Sequence, residues 1–266
     1  MDAATLAARR GLTRALLRWC ALLSLVVLVA GCYLLQSASR PIPAQAFPAP
    51  AGADGLVVML PGFADGPRDF VEQGFVDAVR AANPGYDVLA VNAHWGYYRD
   101  YSVVERLRED VLEPARERYR RIWLVGISMG GFGAAAYAQT YPQHVDGLIL
   151  LAPFMGSETV VEDVLATDRL ADWRSPVLAS IADRKERRFY ELWQFYREYA
   201  VAPRREPLLY IGFGAEDHLR PPNQRVAEVL DDERSLMLPG GHKWTVWKPL
   251  FDELSKRALG RPPGTQ

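Results

Sequence analysis

Gly126-Ile127-Ser128-Met129-Gly130 is the stretch of this 266-residue chain with the most chemistry in it. A serine hydroxyl is a poor nucleophile until a neighbouring imidazole removes its proton during attack. In a G-x-S-x-G turn between a strand and a helix, the serine stands proud of the sheet with its oxygen at a helix N-terminus. A turn that tight leaves no room for side chains at Gly126 and Gly130. Here an apolar run at 122–125 precedes the turn and a helix-forming run follows from about 129 to 141.

A base and an acid that orients it are then expected later in the chain, in the order Ser, acid, His, each just after a strand. Asp217 follows the apolar run 210–213, within Gly214-Ala215-Glu216-Asp217, and Glu216 stands beside it as an alternative acid. His242 follows 236–238, within Pro239-Gly240-Gly241-His242. Of the four histidines, His144 and His218 read as surface residues. His94 and Trp95, with Tyr97 and Tyr98, follow another strand end; they suit a substrate pocket or the packing of a loop equally well.

With the three motifs present in that order, the chain from about Gly55 to the C-terminus resembles the α/β-hydrolase family of serine esterases and lipases. The resemblance implies an acyl-enzyme route in which Ser128 attacks, His242 acts as base and then acid, and Asp217 orients the imidazole. The family's Gly-x-x-Asp spacing favours Asp217 over Glu216. It also implies an oxyanion hole made by the amides of Met129 and of Phe63, in Leu60-Pro61-Gly62-Phe63. Members commonly carry His-Gly where this chain has Pro-Gly.

The elements that must position these residues alternate along the chain. Short apolar runs at 56–60, 87–91, 122–125, 147–152, 207–213 and 235–238 read as strands. Helical spacing lies between them, as at Val103, Val104, Leu107, Val111 and Leu112, and again from about 244 to 259. Alternation of this kind predicts an α/β fold: a mostly parallel sheet of about six strands, covered by helices on both faces. One interval, 157–206, has no strand. Phe189, Leu192, Trp193 and Tyr196 fall there at helical spacing behind Asp183 and Glu186, a capping-box pattern. This is a helical insertion, either a small lid with Trp193 at the substrate or a long crossover packed on the sheet.

The N-terminus has a different character. Arg9, Arg10, Arg14 and Arg18 precede an apolar run from 19 to 35 that contains Val29-Ala30-Gly31-Cys32. A basic flank before a short apolar segment has the form of a secretory signal. Val29-Ala30-Gly31-Cys32 resembles the lipobox of bacterial lipoproteins, which implies cleavage after Gly31 and lipid on Cys32. The run also fits an uncleaved anchor, at the short limit of about 17 residues for a span, or a plain signal peptide. Each alternative puts the domain outside the cytoplasm, and the lipid anchor puts it at the bacterial cell envelope. Residues 32–54, with Pro41, Pro43, Pro48 and Pro50, read as an extended tether.

Removing 1–31 would take away four Arg and Asp2, moving the formal net charge from -1 to -4. That balance, without a basic run, gives no reason to expect a nucleic-acid partner. No His-Glu-x-x-His run or G-x-G-x-x-G loop is present, so neither metal nor nucleotide cofactor is expected. The function expected is hydrolysis of a small-molecule carboxylic ester by a lipid-anchored enzyme. The alternatives on the same triad are thioester, amide or acyl-transfer chemistry. Outside catalysis, a binding lipoprotein that retains the fold is the alternative.

Overall fold

The computed structural model describes Trp19 and residues 36–203 and 205–260. Residues 1–37 form a unit of their own, and the sheet and site belong to the unit that begins at Ala38. The expected signal peptide, its alternatives and Cys32 lie outside the described residues. Among the described residues no helix is long and apolar enough to cross a membrane.

Seven strands make one sheet: β1 Ala44–Phe47, β2 Gly55–Leu60, β3 Tyr86–Val91, β4 Arg121–Ile127, β5 Gly147–Leu151, β6 Leu208–Gly214 and β7 Ser235–Leu238. Their order is β1-β3-β2-β4-β5-β6-β7. All pairs are parallel except β1 with β3. Every residue of β2 and β5 is buried. Burial on both faces is why these strands are continuous apolar runs rather than alternating ones.

The helices are α1 Pro67–Glu72, α2 Phe75–Ala82, α3 Trp95–Arg99, α4 Val103–Leu107, α5 Glu113–Arg118, α6 Met129–Thr140, α7 Glu158–Leu165, α8 Arg184–Val201, α9 Arg220–Ala227 and α10 Trp244–Leu259, with a π-helical turn between α4 and α5. α10 packs along β5, β6 and β7 and against α2, where Phe251 stacks on Phe75 at 4.3 Å between ring centroids. α6 packs on β4, with α4 and α8 against it.

The structure corrects two expectations. The sheet has seven strands rather than six, and its extra strand comes from the supposed tether. Ala44–Phe47 pairs antiparallel with Val88–Val91. Flanking contacts hold it: Ile42 N–H donates to Asp110 at 2.8 Å, and Ala49 N–H to Asp87 at 2.8 Å. Prolines mark this segment as a linker by composition, but Pro43 and Pro48 flank the four-residue edge strand, so the ladder does not need their missing N–H. The interval 157–206 is helical, as expected, holding α7 and α8, with Asp183 accepting from Lys185 N–H and Glu186 N–H at 2.6 and 3.1 Å.

Candidate active site

Ser128 sits between the end of β4 and the first turn of α6, with φ 52° and ψ -112°. A non-glycine residue at positive φ costs on the order of 1–3 kcal/mol and persists only where the surroundings over-determine it. They do so here. Ser128 N–H donates to Leu151 O at 2.9 Å, and Ser128 O accepts from Phe154 N–H at 2.9 Å and Phe132 N–H at 3.1 Å. A Cβ on Gly126 would lie 2.4 Å from Gly130 O, and one on Gly130 2.1 Å from Leu60 O. The two glycines are therefore required by backbone approach, as the tight turn predicts.

The same contact brings the end of β2 against α6. A Cβ on Gly62 would stand 3.7 Å from Ser128 Cβ, so the Pro61-Gly62-Phe63 turn runs beside the serine. Met129 opens α6, where a backbone N–H has no partner within its own helix. The segments bearing the Phe63 and Met129 amides thus flank Ser128, and the Phe63 ring lies edge-on to Trp95 at 5.8 Å.

Asp217 and His242 come from the loops after β6 and β7. A Cβ on Gly214 would lie 2.1 Å from Gly240 O, so the two loops touch through backbone. The Asp217 side chain has no solvent exposure. Its Oδ1 accepts from Leu219 N–H at 2.8 Å, and its oxygens lie 2.9 and 3.1 Å from His242 Nδ1. His242 Nε2 lies 2.9 Å from Ser128 Oγ. With its proton on Nδ1, the imidazole donates to Asp217 and accepts from the serine hydroxyl. This is the hydrogen-bonded chain that transfers a proton off serine during attack.

Glu216 is not the partner of His242. Its carboxylate accepts from Gly240 N–H, and its own N–H donates to Gly240 O at 3.0 Å. It pins the loop that carries the histidine.

Three neighbours of the site were not legible in the motifs. His218 is exposed, as expected of a surface residue, yet its ring lies 4.8 Å from that of His242. Trp247 sits edge-on to His242 at 4.9 Å. Asp65 accepts from Trp244 Nε1–H at 3.2 Å; burial pushes its carboxyl pKa up, partly offset by that hydrogen bond. Only adjacency to Asp217 could have pointed to His218. Asp217, His218 and His242 place metal-ligand-type atoms within 4.8 Å of one another, but Asp217 and His242 are already engaged with each other.

A cavity of about 680 Å³ opens beside Met129 and is walled by Trp95, Phe132, Phe154 and the first half of α8. Trp95 lines this cavity. His94 does not: it is buried away from the cavity lining, its Nδ1 accepts from Gly96 N–H at 3.1 Å to cap α3, and burial holds its pKa down. Trp193 is not at the cavity either. It is fully buried against Tyr196, while Phe189 and Leu192 of the same helix form the wall. Helical spacing identifies the apolar face of α8 but not which neighbour each side chain meets.

Residues 53–191 match the family model described as Hydrolase_4: Serine aminopeptidase, S33. No curated protein matches the chain. Among solved structures, an S-formylglutathione hydrolase from Agrobacterium tumefaciens is similar over 84% of this chain and 93% of its own, with 19% identity and a TM-score of 0.55. The fluorophosphonate-binding serine hydrolase F of Staphylococcus aureus covers 86% and 97%, with 14% identity and a TM-score of 0.53. A monoacylglycerol lipase of Paleococcus ferrophilus covers 81% and 99%, with 17% identity and a TM-score of 0.51. These likenesses show the fold. With the family match over more than half its length, the chain is a serine hydrolase of the α/β-hydrolase fold and belongs to the family described as serine aminopeptidase, S33.

Proposed function

We propose that the protein hydrolyses carboxylic esters through an acyl-enzyme on Ser128, at a bacterial cell envelope to which lipid on Cys32 tethers it. The observation that carries the catalytic reading is His242 within 2.9 Å of both Ser128 Oγ and Asp217 Oδ2. In the first half-reaction Ser128 Oγ bonds to the substrate carbonyl carbon as His242 Nε2 takes the hydroxyl proton. The negative charge gathers on the carbonyl oxygen, where the Met129 and Phe63 amides stabilise it. The carbon–oxygen bond to the leaving alcohol then breaks, and His242 returns the proton to that alcohol. Water repeats the sequence on the acyl-enzyme, with its proton passing through His242 to Ser128, and releases the carboxylic acid. Asp217 holds the ring and stabilises its charged form without itself accepting the proton.

The aromatic lining of the cavity supports an acyl chain as the bound group, and the similar structures include a monoacylglycerol lipase and an S-formylglutathione hydrolase. A fluorophosphonate probe should label the wild type at Ser128, and Ser128→Ala should lose both the label and ester turnover. Full esterase activity in Ser128→Ala would end this reading. The envelope location rests on the basic flank and Val29-Ala30-Gly31-Cys32. Metabolic labelling with a fatty acid should mark the wild type and not Cys32→Ser; label retained by the variant removes the anchor.

A further inference from the structure

One wall of the cavity is cationic. Five basic side chains line it against two carboxylates, and the basic ones are concentrated on the first turns of α8. Arg184 and Arg188 both stack on one ring, that of Tyr101, at 5.2 and 5.1 Å from its centroid, and Lys185 lies 5.7 Å from the Phe189 ring. Among the described residues none of these three cations has a carboxylate within ion-pair distance. Arg106, by contrast, is paired with Glu109 and Asp110, and Arg234 with Asp231 at 2.8 Å.

The carboxylates of the cavity compensate only in part. Glu105 is held by Arg108 at 2.9 Å, and Glu191 makes no ion pair among the described residues. Burial, and then the like charge of Arg184, pull the Arg188 guanidinium below its ordinary range, with Glu191 opposing them. Two guanidiniums on one aromatic ring gain cation–π attraction while their like charges still repel, and an anion reached by both relieves that repulsion. Tyr101 itself is held at φ 62°, an uncommon conformation for a tyrosine. The same cavity is also lined by Met129, next to the serine.

We propose that Arg184, Arg188 and Lys185 bind an oxyanion group, carboxylate or phosphate, on the substrate, so that the enzyme selects esters charged at a point remote from the carbonyl it attacks. This rests on the reading of Ser128 as nucleophile. A guanidinium pair suits such a group because its planar donors match the oxygens of a carboxylate or phosphate two at a time. The uncharged part of the chain then lies along Phe132, Phe154 and Phe189.

The test is a set of paired substrates. For the carboxylate arm, 4-nitrophenyl half-esters of adipic, suberic and sebacic acids are compared with uncharged 4-nitrophenyl esters of matched length. For the phosphate arm, a monoacylglycerol is compared with the same monoacylglycerol phosphorylated at its free primary hydroxyl. The charged member of at least one arm should show kcat/KM about tenfold above its neutral partner, and the arm that does so identifies the group. In the double variant Arg184→Gln/Arg188→Gln that ratio should collapse toward one through KM, and Arg184→Lys/Arg188→Lys should restore part of it. Because the ratio is taken within one protein, partial misfolding does not alter it. No preference in either arm, or a preference that survives the double Gln variant, overturns the proposal. Absence of turnover on every ester together with no fluorophosphonate label is a different result, which overturns the reading of Ser128 and this inference with it.

Discussion

Around Ser128 the geometry is imposed by main chain meeting main chain. Leu60 O presses on Gly130, Gly130 O on Gly126 and Gly240 O on Gly214, each closer than any Cβ would allow. Along α8 the geometry is imposed by side chains instead. Phe189 meets Phe132 and Phe154, Trp193 meets Tyr196, and Phe195 meets Tyr199, all at 5–6 Å between ring centroids. A backbone contact fixes the residue type at a position almost uniquely, whereas a large aromatic can pack against many partners. The first region is therefore rigid and intolerant. The second is where a pocket can change shape while the reaction stays the same.

The largest expected effect tests whether the backbone-built region has one acid or two. Asp217→Asn should lower kcat about 10⁴-fold while leaving the fold intact, through loss of the correct tautomer and charge at His242. Glu216→Gln should change kcat by no more than about threefold, because a glutamine carbonyl still accepts the one neutral-donor hydrogen bond from Gly240 N–H. Steady-state kinetics on one ester and a melting curve for each variant decide it. Should Glu216→Gln be the crippled enzyme, His242 takes its orientation from the wrong carboxylate in this account.

A second, smaller effect contrasts the two sides of the cavity wall. Trp193→Ala removes a fully buried indole and should cost about 3–5 kcal/mol, a fall in Tm on the order of 10 °C. The order of preference among acyl chain lengths should stay as it is. Ala136→Phe places a ring into the cavity from α6 and should shift that preference toward shorter chains with little change in Tm. If Trp193→Ala instead alters chain-length preference at unchanged Tm, the indole belongs to the pocket after all.

The same contrast explains what could be read from the residues alone. Ser128, Asp217 and His242 were legible because each stands in a small-residue loop whose glycines announce close approach, just after a short apolar run. The parallel core was legible for the same reason, since burial on both faces leaves β2 and β5 with no polar residue to confuse the pattern. β1 was not, because its four residues lie between prolines and only the free edge of β3 makes them a strand. Trp193 and His94 were misplaced because periodicity and adjacency identify a face or a loop but not what that face touches. The arginines on Tyr101 carried no motif; they come together only when α8 folds beside the loop after α3.

The smallest effect probes Asp65, a half-buried carboxyl in the loop that carries Phe63. Asp65 is partly buried, and burial is the leading cause of its raised pKa; the Trp244 hydrogen bond opposes it, Asp69 adds to it and His242 opposes it. A carboxyl raised in the folded state holds its proton more tightly there than in the unfolded chain. The carboxyl therefore costs nothing below the unfolded value, about 3.9, and its cost grows as pH rises through the folded value. Asp65→Asn keeps an oxygen to accept from Trp244 Nε1–H and removes the ionisation. The variant should match the wild type in thermal denaturation near pH 4 and exceed it at pH 7, by about 1 °C, since solvent still reaches the site. A variant less stable than the wild type at pH 7 but equal at pH 4 would reverse the sign. The Asp65 carboxylate would then be stabilised by Trp244 and His242 more than burial penalises it, and side-chain electrostatics would help hold a loop ascribed here to backbone contacts.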